Sequence, residues 1–163
     1  MPSAVQRATL CLITWMTIAT IPMVIAEEPP GPPPAPVPSQ ILAAKKIFIS
    51  NGGEDIWLDY DPKHDPSLTY HEFYADIKSW GKYELVSTPT DADVVFEIRL
   101  VFQERTCKLR LLILDPKSHI TLWTLNQVAN AANRDATARK NFDKAMNALV
   151  ATIKDLVAKG KAD

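Results

Sequence analysis

Residues 93–128 read DVVFEIRLVFQERTCKLRLLILDPKSHITLWTLNQV, and the period of this stretch decides the fold. From Asp93 to Glu104 apolar and polar residues alternate. Phe96, Ile98, Leu100 and Phe102 fall on one face, with Glu97, Arg99 and Gln103 on the other. Thr106–Leu114 repeats the pattern, placing Cys107, Leu109, Leu111 and Ile113 on one side and Lys108 and Arg110 on the other. Asp115-Pro116-Lys117-Ser118 supplies a turn, because Asp suits its first position and Pro presets φ at the second. His119–Val128 is the third strand. Three consecutive strands of this kind form an antiparallel meander, and its strongly apolar face needs a cover.

Working outward, two helices are available as that cover. Between about Ser67 and Trp80, Tyr70, Phe73, Ile77 and Trp80 recur on one helical face. Thr69-x-x-Glu72 matches a capping box, and Gly81 is placed to end the helix in a left-handed conformation. From Asp135 to Lys159 the chain has no Gly or Pro, and Phe142, Met146, Leu149, Ile153, Leu156 and Val157 form a second apolar stripe. Asp135 with Arg139 and Asp155 with Lys159 have favourable i,i+4 spacing. Two more strands precede the meander, Lys45–Ser50 and Tyr83–Ser87, the first ended by Asn51-Gly52-Gly53. The expected fold class is α+β: a two-layer sandwich in the order β-α-β-β-β-β-α, its mixed sheet including the three-strand meander and covered by two helices.

The N-terminus reads differently. Residues 1–26 have one positive charge, Arg7, then an uncharged apolar stretch from Ala8 to Ile25, then Val24-Ile25-Ala26 at the positions a signal peptidase reads. A signal peptide cleaved after Ala26 is expected; the alternative is an uncleaved anchor in the inner membrane. Residues 27–40 form a Pro-rich linker, with seven of the chain's 13 prolines between Pro29 and Pro38. It has little to bury and reads as an extended tether. Residues 41–160 are then a single α+β domain.

Composition excludes several functions. With 18 basic and 19 acidic residues the net charge is −1, and no Lys/Arg cluster of the nucleic-acid type occurs. Of the two cysteines, Cys11 lies in the expected signal peptide. Cys107 is then left without an intramolecular partner, which removes a structural disulfide and a Cys-x-x-Cys redox motif. Phosphate-loop glycine patterns, Gly-x-Ser-x-Gly and His-Glu-x-x-His are all absent. No catalytic residue, metal or cofactor is therefore assigned.

One stretch offers unusual chemistry. Glu54, Asp55, Asp59, Asp61 and Asp65 crowd Glu54–Asp65, with His64 among them. Oxygen donors at this spacing suit calcium, but counting from Asp59 the sixth position of the calcium loop is His64 rather than Gly, and the twelfth is Tyr70 rather than Glu. Asp59, Asp61, His64 and Asp65 are the candidate binding residues. A hydrolase or metal-dependent enzyme with His64 as general base, oriented by Asp61 or Asp65, is the alternative function. A solvated acidic loop accounts for the same residues.

A resemblance rests on several short motifs in an exported chain. Trp80-Gly81 is followed by Tyr83-Glu84-Leu85-Val86, Asp91-Ala92-Asp93 opens a strand, Leu111–Asp115 runs into a turn, Leu122-Trp123 follows, and Arg139–Leu149 lies in the last helix. The chain thus resembles bacterial envelope α+β proteins, and is similar in layout to the TolB N-terminal domain and to LptE-like assembly proteins. The resemblance implies a non-catalytic partner-binding or assembly role in the periplasm or outside the cell. The implied partner is another envelope protein or cell-surface component, not nucleic acid. Membrane contact is expected only through an uncleaved N-terminal segment. The lipidation cysteine of the lipoprotein members is missing.

Overall fold

A computed structural model describes residues 35–55, 65, 67–103, 106–130 and 135–159. The chain divides into two units, Met1–Pro34, which lies wholly outside the described residues, and Ala35–Asp163. The second contains α1 (Ser39–Ala43), β1 (Lys46–Asp55), α2 (Leu68–Trp80), β2 (Glu84–Leu85), a 3-10 turn (Pro89–Asp91), β3 (Val94–Gln103), β4 (Thr106–Leu114), β5 (Thr121–Asn130) and α3 (Asp135–Lys159).

The five strands form one mixed sheet in the order β2-β1-β3-β4-β5. β1 runs parallel to both β2 and β3, and β3, β4 and β5 are successive antiparallel neighbours. The meander expected from alternation is therefore present, with β5 as one edge and the two-residue β2 as the other. Register brings the apolar sets together: Phe96 pairs with Ile113, Ile98 with Leu111 and Leu100 with Leu109. All six are buried, as are Ile47 and Ile49 on β1.

The helices cover that face. Phe73 and Ile77 of α2 are fully buried, with Tyr70 and Trp80 packed beside them. Met146, Leu149, Ile153 and Val157 carry the stripe of α3, and Phe142 and Leu156 flank it half-buried. Gly81 ends α2 at φ 67°, its N–H donating to the Lys78 carbonyl, as the sequence pattern requires. The fold is the α+β sandwich anticipated from hydrophobic period.

Local details depart from the pattern. Thr69 does not cap α2. It is buried inside the helix, and Glu72 pairs instead with Arg139 of α3. Arg139 also contacts Asp143 at 2.8 Å, one turn further along. β1 does not stop at the glycines. It continues through Gly52-Gly53 to Asp55, with a register shift against β3 between Asn51 and Glu54. A bulge absorbs the extra residue: Gly53 takes φ 81°, and a Cβ on Gly52 would stand 2.9 Å from Glu97 Cγ and 3.1 Å from the Ile98 carbonyl oxygen. The third meander strand starts at Thr121 rather than His119. His119 has φ 58°, and its N–H closes the turn onto the Asp115 carbonyl at 2.9 Å.

Candidate functional site

Helices on one face leave the other uncovered among the described residues. The cross-strand rows of this outer face follow from register. One row holds Phe48, Val95 and Leu114; the next holds Ser50, Glu97, Leu112 and Thr124. Beyond these, Arg99 lies opposite Arg110 and Asn126, and Val101 opposite Lys108 and Val128. The face is thus apolar toward the β4–β5 turn and cationic in the middle. Like charges directly opposite one another are unfavourable, and side chains nearby relieve the Arg99–Arg110 juxtaposition: Glu97 lies 3.8 Å from Arg99, and the Arg110 Nε–H donates to Asn126 Oδ1 at 3.3 Å. Two large apolar residues stand out in water at the β5 side, Ile120 at 63% exposure and Val128 at 51%.

A second feature lies beside the β4–β5 turn, a cleft of about 290 Å³ between α1 and the sheet. Gln40 bridges it, its Nε2 donating to the Asp93 carbonyl and to Asp115 Oδ1, both at 3.0 Å. The Asp93 carboxylate accepts the Lys45 and Lys46 backbone N–H groups at 2.8 and 2.9 Å, which hold it below the usual carboxylate range. Asp115 accepts from Ser118, Gln40 and Lys117, and these bonds lower it to about 2. Both carboxylates are committed to stapling the start of β1 and the β4–β5 turn, so the cleft reads as a structural joint. This also explains the chemistry behind the Ala-Asp strand opening: Asp93 caps the strand next door.

Of the four sequence-predicted site residues, only Asp65 is among the described residues. Asp59, Asp61 and His64 lie outside the described residues. Asp65 is exposed, its Oδ1 accepting the Ser67 N–H at 2.8 Å and its carbonyl the Leu68 N–H at 3.0 Å, which starts α2. That hydrogen bonding gives Asp65 a structural role. Among the described residues no three His, Cys, Asp or Glu side chains group as metal ligands would. Cys107 is half-buried on the inner face, and burial, then the nearby Glu54 carboxylate, push its thiol up to about 11, well away from a reactive thiolate. Also among the described residues, no helix is long and apolar enough to cross a membrane.

No protein-family model matches the chain, and no curated protein matches it. The chain is similar to several solved structures. It is similar to a DUF330-family protein from Xanthomonas campestris, with TM-score 0.50 at 12% identity over 76% of this chain and 88% of that one. PelC from Paraburkholderia phytofirmans, crystallised as a dodecamer, gives TM-score 0.47 at 7% identity over 67% and 86%. The LpoB C-terminal domain from Salmonella enterica gives 0.42 at 8% over 53% and 82%. At such identity the Xanthomonas protein supports the arrangement of helices and strands, and no site residue transfers from it.

Proposed function

We propose that this chain is an exported, non-catalytic binding or assembly domain of the bacterial cell envelope, which engages another envelope protein or surface component through its sheet. The observation that carries this reading is the outer face, an entire sheet surface that no described element covers. It combines apolar side chains with a central set of arginine and lysine, the composition of a contact surface rather than of a reaction centre. The N-terminal sequence supports the address: a cleavable signal over residues 1–26 and a proline-rich tether over 27–40 would hold the domain away from the membrane after export. The resemblance of the sequence to the TolB N-terminal domain and to LptE-like assembly proteins belongs to the same reading.

Site-specific photo-crosslinking in cells tests it. A photoreactive residue replacing Arg110 on the outer face is expected to give an adduct with an envelope protein identifiable by mass spectrometry. The same residue replacing Lys140, exposed on α3, is expected to give none. Adducts with cytosolic proteins alone, or a chain found in the cytosol with its first 26 residues intact, would overturn the reading.

A further inference from the structure

The two edges of the sheet are unequal. β2 pairs with β1 through two residues, whereas β5 offers ten residues and has a neighbour on one side only among the described strands. Folded proteins usually blunt such an edge with charge, proline, a bulge or brevity. The sequence of β5, TLWTLNQVAN, contains no charged residue, no proline and no glycine, and its register shift against β4 lies at its start, near Leu122, away from Asn126. Every other strand carries charge: Lys46 and Glu54 on β1, Glu84 on β2, Glu97 and Arg99 on β3, Lys108 and Arg110 on β4. At its end the Asn130 carbonyl accepts from Asn141 of α3 at 2.8 Å.

We infer that β5 is a self-pairing edge, and that its occupant is β5 of a second copy, antiparallel about a two-fold axis, giving one continuous ten-stranded sheet. This deepens the preceding proposal and rests on its reading that the sheet is the docking element. The choice of occupant follows from symmetry. In an isologous interface each residue meets the same set of residues from the other copy, so a charge near the axis meets its own sign. A strand without charge is free of that penalty, and β5 is the strand that meets the condition. The exposed positions Thr124, Asn126 and Val128 are symmetric about Asn126. Centred there, Asn126 faces Asn126 of the second copy and Thr124 faces Val128, an amide pair flanked by two β-branched pairs of the kind that stabilises neighbouring strands. The half-exposed Val128 is buried twice per dimer in this arrangement. The cationic residues of β4 and β3 lie one and two strands inside the edge, and the nearest of them, Arg110, is neutral to the pairing only insofar as its Nε–H is taken up by Asn126 Oδ1 at 3.3 Å.

The test is the mass in solution of the full chain as purified, measured by light scattering from about 1 to 300 µM against its mass-spectrometric mass. An edge-to-edge contact is small, so association with Kd roughly in the 10 µM range is expected. Asn126→Lys sets two ammonium groups against each other beside Arg110 and is expected to raise that Kd at least tenfold, with an unchanged circular dichroism spectrum. Mixing Asn126→Lys with Asn126→Asp is expected to restore the dimer, because opposite charges then meet at the axis. Val128→Lys serves as a second disrupting variant should Asn126→Lys fail to fold. A chain that stays monomeric throughout overturns the inference, as does a dimer that neither lysine variant weakens or a mixture that does not recover. Those outcomes leave the Arg110 crosslink unaffected, so failure here is distinguishable from failure of the envelope-binding proposal.

Discussion

The two faces of one sheet obey different rules in this protein. On the inner face nearly every strand position is a large aliphatic or aromatic side chain with little or no exposure, matched across strands and roofed by α2 and α3. On the outer face, aliphatic residues alternate with arginine, lysine and glutamate, and most are half-buried, with Val95 buried. The inner face is explained in full by folding. The outer face mixes half-buried aliphatic side chains with charge, and on the proposed reading that mixture is what a partner would meet. The contrast separates stability from function along each strand, one residue at a time.

Adjacent leucines on β4 provide the sharpest break of that comparison. Leu111 is fully buried on the inner face, whereas Leu112 is half-buried on the outer one. Leu111→Ala leaves a cavity under the helices and is expected to cost about 2–5 kcal/mol. Leu112→Ala exposes only the area its neighbours shield and is expected to cost about 1 kcal/mol. Denaturant unfolding of the two variants checks both values. Equal losses would mean that the outer face is covered within the chain, and would remove the basis for the contact-surface reading.

A smaller effect is expected where the outer face meets the β1 bulge. Gly52→Ala pushes a methyl group against Glu97 Cγ and the Ile98 carbonyl oxygen. The glutamate can swing away, but the strand backbone cannot. Overpacking of this kind costs about 1–3 kcal/mol, opposed by about 0.4–1 kcal/mol from the stiffer unfolded chain. The expected outcome is a net loss of stability, read as a lower Tm. A variant as stable as the original would show that the bulge yields, and that the outer face tolerates side chains at that point.

How far this was legible in the sequence follows the same division. The alternation from Phe96 to Phe102 and from Cys107 to Ile113 announced the meander, because a two-residue period has one burial solution once a face is apolar. The stripes on α2 and α3 announced their cover for the same reason. Strand order was not legible, since β1 enters between β2 and β3 through pairings distant in sequence. Asn51-Gly52-Gly53 reads locally as a stop, and only the neighbouring β3 turns it into a bulge. Thr69 and Glu72 satisfy a capping template, but burial of Thr69 and the pull of Arg139 on Glu72 decide otherwise. As for the candidate site, of Asp59, Asp61, His64 and Asp65 only the last is among the described residues. Its carboxylate is drawn into starting α2, an ordinary role for Asp before a helix. The uncharged edge of β5 was visible as residues, but it acquires meaning only when β5 is known to be an edge.

The smallest expected effect tests the inner face from within. Tyr83 lies between Trp80 and Phe96, in edge-on contact with both rings at 5.3 and 5.8 Å between centroids. Its side chain is buried, and among the described residues its hydroxyl has no hydrogen-bond partner. Burial alone accordingly raises the phenol to about 12. A buried hydroxyl that forms no bond gives up its hydration without return, at a cost of about 1–3 kcal/mol, whereas the ring contributes packing. Tyr83→Phe keeps both ring contacts and removes the orphan oxygen, so stability is expected to stay level or rise by up to about 1 kcal/mol. The ring's place in the core is checked by Tyr83→Ala, which is expected to lose about 3–5 kcal/mol, as other large aromatic truncations do. If Tyr83→Phe instead lowers stability by more than about 1 kcal/mol, the hydroxyl has a polar partner in solution. The inner layer beneath Trp80 would then be wet at that point, and the division between a dry structural face and a polar contact face would not hold at its α2 end.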